Sequence, residues 1–181
     1  MRTYIRQRVP GGTYFFTANL AERRNNDLLV RYVNILREAC RYVQQRHPFE
    51  ILAMVILPEH LHCIWRLPEG DDDFPLRWRL LKTYFSRHIP KGEYISSSRQ
   101  RKGERGLWQR RSWEHLIRDD ADFQRHADYI HYNPVKHGYV EHPLDWRYSS
   151  FHRWVKSGLY PPDWTVPSDL IVQSREATDS P

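Results

Sequence analysis

His60-Leu61-His62 follows closely on the chain's most apolar run, "ILAMVIL" at 51–57. On a β-strand, side chains two apart share a face. Both imidazoles and Ile64 should therefore project together, with Leu61, Cys63 and Trp65 on the opposite side. Two imidazoles on a rigid element make half of a divalent-metal site. With ten histidines in 181 residues, one such pair arises by chance in roughly every second chain, so two surface histidines on an open sheet is the competing reading. The same alternation aims Glu59 and Cys63 away from the imidazoles. A second group lies far along the chain, in "DYIHYNPVKHG" (128–138), where Tyr129 and Asn133 are four residues apart. On a helix that spacing stacks the two side chains, placing a phenol beside an amide oxygen that could be a third metal ligand. Phenols ionise only near pH ~10. A metal on a phosphate would compensate for so weak a nucleophile, and the pattern points to phosphoryl transfer. Taken singly, Tyr129 reads equally as a core aromatic and Asn133 as a helix cap before proline.

These groups need a frame. "GGTYFFTANL" (11–20) reads as a strand after a turn, and Leu29, Val33, Leu36, Cys40 and Val43 recur with helical spacing between Asp27 and about Arg46. "FEILAMVIL" (49–57) and "HLHCIWRL" (60–67) form two antiparallel strands around a tight "PEH" turn. A helix from Leu76 to about His88 follows the loop "PEGDDDFP". Residues 90–106 are Gly/Ser/Arg-rich, a mobile insertion. "SWEHLIR" (112–118) is a strand, and Asp119 or Asp120 caps a helix that Pro134 should stop near Tyr132. The order β-α-β-β-α-β-α predicts an α+β fold of the split-βαβ (ferredoxin-like, RRM-like) kind, one antiparallel sheet with helices on one face. A single domain is expected over 1–165, with a polar, disordered tail at 166–181.

Composition narrows the function classes. The longest apolar run is far too short to span a bilayer, the basic "MRTYIRQRVPGG" holds no apolar stretch of signal-peptide length, and two cysteines supply no disulfide framework. A soluble, cytoplasmic protein is expected. Net charge is +6 with a pI near 9.4. The basic excess gathers in "RQRKGERGLWQRR" (99–111) and at Arg2, Arg6 and Arg8, interleaved with tryptophan and tyrosine. Arginine among exposed aromatics suits a phosphate backbone and unstacked bases. A merely soluble basic surface is the alternative.

Four separated motifs, "PEHLHCIW", "WQRRSWEH", "DYIHYNPVKHG" and "WRYSSFHRWVKSGLYP", resemble those of the REP-associated tyrosine transposases, a single-tyrosine branch of the HUH endonuclease superfamily. The resemblance spans about residues 3–164. It implies that His60, His62 and Asn133 are metal ligands, that Tyr129 is the nucleophile, and that Mg²⁺ or Mn²⁺ is the cofactor. The implied reaction is cleavage of single-stranded DNA to a 5′-phosphotyrosine and a 3′-hydroxyl, reversed when another 3′-hydroxyl attacks. The implied partner is a repetitive extragenic palindrome, a hairpin with unpaired guide bases beside it, bound at the nucleoid by a monomer rather than by the dimers of relatives that move as complete elements. Arg2, Arg6, Arg8, Arg99, Arg101, Lys102, Arg105, Arg110 and Arg111 are candidate DNA contacts, and Trp108 and Trp113 candidate stacking surfaces. Three rival readings stay open: a hairpin-binding regulator with a vestigial site, a hydrolase whose metal activates water, and an RNA-recognition module of the same plan.

Overall fold

The computed structural model describes residues 8–93, 95, 97–103 and 105–166. Four strands form one antiparallel sheet in the order β2-β3-β1-β4. They are β1 (Thr13–Asn19), β2 (Glu50–Ile56), β3 (His60–Arg66) and β4 (Trp113–Leu116). β1 and β3 occupy the centre, with Thr17 opposite His62 and Asn19 opposite His60. The tight turn and both apolar strands lie where the hydrophobic runs placed them, and the element order is the expected one.

The sheet is covered on both faces, and here the layout differs from the helices-on-one-face expectation. Phe16, Ala18, Leu61, Cys63 and Trp65 join a large core beneath α2 (Val33–Arg46) and α3 (Phe74–His88), where Trp65 stacks on Trp78 at 4.3 Å. Phe15, Ala53, Val55 and Ile64 form a second, smaller core with Ile130 and Phe151. Those two belong to α5 (Asp120–Lys136) and α6 (Phe151–Lys156), on the opposite face. Strands buried on both sides lose the simple polar-apolar alternation, and β3 is buried at every position but Arg66.

Three further differences have local causes. The first expected helix is broken at Tyr32 into α1 (Leu28–Arg31) and α2. Within the expected loop 90–106, Ser97–Arg101 makes a short helix, α4. Pro134 does not end α5. Gly138, at φ +71, is the true stop, because Tyr139 N–H donates to Pro134 O and Gly138 N–H to Val135 O, the paired bonds of a Schellman cap. Glycine reaches that left-handed conformation without steric penalty. Pro134, third from last in α5, removes one helical N–H donor but does not break the helix. At the other end Asp119 is the cap, accepting from Asp122 N–H at 2.7 Å. Arg2, Arg6 and the tail from 167 onward lie outside the described residues.

Candidate functional site

His60 and His62 are buried on the face of β3 that α5 covers. Each has its Nδ1 tied back into the protein: His60 Nδ1 lies 2.9 Å from Glu59 Oε1, and His62 Nδ1 lies 2.8 Å from Thr17 Oγ1. That leaves the two Nε2 atoms for another partner, and such bonds from the far ring nitrogen are how proteins orient ligating imidazoles. The alternation argument aimed Glu59 away from the imidazoles, and the structure corrects it. Glu59 belongs to the turn before β3, where the period of two does not apply, and its carboxylate grips His60 while accepting from Arg23 at 3.2 Å.

α5 supplies the opposing wall. Running unbroken to Lys136, it sets residues 129, 133 and 137 four apart on one side. The Tyr129 ring meets the His62 ring edge-on at 5.2 Å, and the His137 ring meets that of His60 at 5.1 Å. Asn133 sits between them, fully buried, its Nδ2 reaching Tyr129 O at 3.5 Å. Its Oδ1 has no hydrogen-bond partner among the described residues. A buried orphan acceptor costs about 1–3 kcal/mol, a cost that a cation at the Oδ1 would remove. Two imidazole nitrogens and one amide oxygen fit a divalent cation of hard or borderline character. His137 escaped the sequence reading, although it stands in the same "NPVKHG" stretch at a further spacing of four.

The electrostatics suit ligation. Burial, reinforced by the neighbouring His60, His137, Lys136 and Arg23 side chains, holds the His62 imidazole well below its usual range. It is therefore in the neutral form that binds metals. Burial and His60 also push His137 down to about 4. Burial alone would raise Glu59, but hydrogen bonds from His60 and Arg23 bring it down to about 2, leaving a permanent carboxylate behind His60. Lys136 Nζ lies 5.0 Å over the Tyr129 ring.

A second cluster brings His115, Asp122 and His126 within 4.8 Å of one another at their potential ligand atoms. Its chemistry suits an ion less well. The Asp122 carboxylate already accepts from His115 Nε2 at 2.8 Å, Arg118 N–H at 3.0 Å and Arg125 Nη2 at 3.1 Å. The two imidazole rings stack at 4.6 Å and 17°, and His126 Nδ1 is already engaged with Asp122 O at 2.8 Å.

The expected DNA contacts divide. Arg101, Lys102, Arg110 and Arg111 are exposed, and Trp113 is 53% exposed on the site face of β4. Trp108 is no stacking surface: it is buried against Phe85 in the larger core. Arg105 is likewise turned inward, paired with Glu93 and donating to the carbonyls of Ser86, Ile89 and Pro90. Arg99 donates to Gly106 O, and Arg8 pairs with Asp72 at 2.7 Å. A basic run in sequence does not reveal which of its members answer acids and carbonyls of the same chain.

A split-βαβ sheet with paired histidines on a central strand, faced by a tyrosine and an amide one helical turn apart, is the layout of the HUH class of single-strand endonucleases. No family model matches the chain. The REP-associated tyrosine transposase of Escherichia coli K12 is 49% identical over 164 residues, 91% of this chain and 91% of that protein. A counterpart in Haemophilus influenzae Rd is 49% identical over 174 residues, 96% of this chain and 98% of that one. Among solved structures, a REP-associated tyrosine transposase bound to a REP hairpin shares 47% identity at a TM-score of 0.79, covering 92% of this chain and 93% of its own. This chain belongs to the REP-associated tyrosine transposase family.

Proposed function

We propose that the protein cleaves and rejoins single-stranded DNA beside a REP hairpin through a covalent 5′-phosphotyrosine on Tyr129. Family membership and the hairpin held by the solved relative support the substrate. The observation that carries the site is the orphaned, buried Asn133 Oδ1, set on α5 between Tyr129 and His137, whose rings meet His62 and His60. Tyr129 Oη attacks the backbone phosphorus, the bond from phosphorus to the 3′-oxygen breaks, and the departing oxygen takes a proton. The phosphodiester energy is retained in the tyrosine ester, so a second 3′-hydroxyl can reverse the step without a nucleotide triphosphate. His60 Nε2, His62 Nε2 and Asn133 Oδ1 would hold Mg²⁺ or Mn²⁺, which when bound makes the phosphate more electrophilic. Glu59 and Thr17 fix the two rings in the orientation this requires. All four site residues come from one chain, which supports action as a monomer.

A labelled hairpin oligonucleotide with unpaired flanks tests the reading. Wild-type protein with Mn²⁺ should give a denaturation-resistant protein–DNA adduct. Tyr129→Phe should give none while binding the hairpin with affinity within about twofold of wild type, because only the attacking oxygen is lost. Cleavage without an adduct would mean that water is the nucleophile. Loss of the adduct in Tyr132→Phe but not in Tyr129→Phe would overturn the assignment on α5.

A further inference from the structure

One exposed aromatic on the site face is not used by this chemistry. Trp113 stands opposite Thr17, which stands opposite His62, so the three share one row across β4, β1 and β3. Two strand spacings put Trp113 about 10 Å from His62. α5 covers the His62 end of the row and leaves the Trp113 end open. Phe15 links the two ends, lying 5.7 Å from Trp113 and 6.0 Å from Tyr129 between ring centres. A tryptophan 53% exposed on a strand leaves a large apolar face in water. That face is also held in place, because Trp113 lies parallel to His115 at 6.1 Å and 8°. His115 in turn is fixed by the buried Asp122 carboxylate and by stacking on His126. The same carboxylate holds Arg118 and Arg125 beside the platform, with 68% and 46% of their side chains still exposed. Among the described residues no strand pairs with the outer edge of β4, so an approaching chain meets an open rim there.

We infer that Trp113 is the stacking seat for one unpaired base flanking the scissile phosphate, with Arg118 and Arg125 taking the adjoining backbone phosphates. Any base offers a π-face, so the seat tolerates sequence, whereas arginines on phosphates set the path of the strand. Asp122 is the positioning residue of the platform, and its cluster with His115 and His126 serves the DNA strand and not an ion. The inference rests on Tyr129 as the nucleophile only for the position of the base relative to the cut.

Binding separates the two readings. Hairpin oligonucleotides carrying a single abasic residue, moved one position at a time through each unpaired flank, are titrated against Tyr129→Phe protein, with and without Trp113→Ala. Trp113→Ala should weaken binding of the intact oligonucleotide about tenfold, and Trp113→Tyr should restore most of it. At one flank position the abasic lesion should cost the Trp113 protein a similar factor and cost the Trp113→Ala protein almost nothing. Arg125→Gln should weaken all the oligonucleotides alike and flatten the salt dependence. Equal abasic penalties with and without Trp113 at every position would overturn the seat, even if the wild type cuts DNA normally. A matched position in a protein that forms no adduct would keep the seat and refute the covalent mechanism instead. Mn²⁺ binding that is lost in His126→Ala but kept in His62→Ala would return the Asp122 cluster to a metal role and overturn its assignment here.

Discussion

Glu59→Gln isolates the role of the carboxylate behind His60 while keeping the shape of the side chain. The wild-type contact joins Glu59 Oε1 to His60 Nδ1 at 2.9 Å, with Arg23 at 3.2 Å on the same oxygen. Because those bonds bring Glu59 down to about 2, the carboxylate is ionised throughout the working pH range. The amide oxygen of glutamine can still accept from Nδ1, so the ring orientation survives and only the charge assistance disappears. Charge-assisted hydrogen bonds are about twice as strong as neutral ones, some 1.5–3 against about 1 kcal/mol. The variant should therefore lose on the order of 1–2 kcal/mol of metal binding, about five- to thirtyfold in affinity. Glu59→Ala also frees the ring and should approach a hundredfold loss, the upper end for residues that orient a metal ligand. Calorimetric titration with Mn²⁺ gives the affinities, and the nicking rate at saturating Mn²⁺ should recover in the glutamine variant. If both variants bind Mn²⁺ like the wild type while His60→Ala does not, Glu59 has no part in presenting His60 and the reasoning fails.

Three more outcomes follow from the same contacts. Asn133→Ala should abolish Mn²⁺ binding at the proposed site and lower thermal stability only modestly, since the orphaned Oδ1 makes no hydrogen bond and only the long Nδ2 contact to Tyr129 O is lost; titration and melting on the same sample decide it. Arg105→Gln should lower stability and leave the salt slope of DNA binding untouched. Its partner Glu93, held at about 2 by the Arg105 hydrogen bond against an ordinary value of 4.5, has a depressed folded-state pKa. That pair's contribution is complete above about pH 4.5 and fades as pH falls toward 2, a loss on the order of 2 kcal/mol that acid melts of wild type and variant should show as converging curves. Arg111, exposed and without a partner among the described residues, should do the reverse: Arg111→Gln flattens the salt slope by roughly 0.7–0.9 with stability unchanged, and an unaltered slope removes it from the DNA surface.

The parts of the site that obey a short period were legible in the sequence. His60 and His62 share a strand face, and Tyr129 and Asn133 share a helix side, because periods of two and 3.6 hold inside regular elements. Glu59 was misplaced for the same reason: one residue outside the strand, alternation carries no information. His137 was missed because Pro134 seemed to close the helix, when the left-handed residue needed for that cap is Gly138. Arg105 and Trp108 looked like parts of a basic, aromatic DNA surface. Their actual partners, Glu93 and Phe85, lie 12 and 23 residues earlier, and pairing across such gaps leaves no local pattern. The second helical layer was hidden in the same way. Strands β1 and β3 bury both faces, so their side chains do not announce which helix lies above and which below.

That second layer has a consequence for how the protein holds together. α5 rests on the sheet through the smaller core, while α2 and α3 are anchored in the larger one. On the proposed reading the nucleophile Tyr129 and the ligand Asn133 ride on α5, while the ligands His60 and His62 belong to β3. An ion held between them would be a fastener across a seam, its binding coupled to the docking of α5 on the sheet. By linkage, such an ion at a hundred times its dissociation constant would favour the docked helix by about 2.7 kcal/mol over an undocked one that does not bind it. The docking of α5 would then report whether that ion is in place.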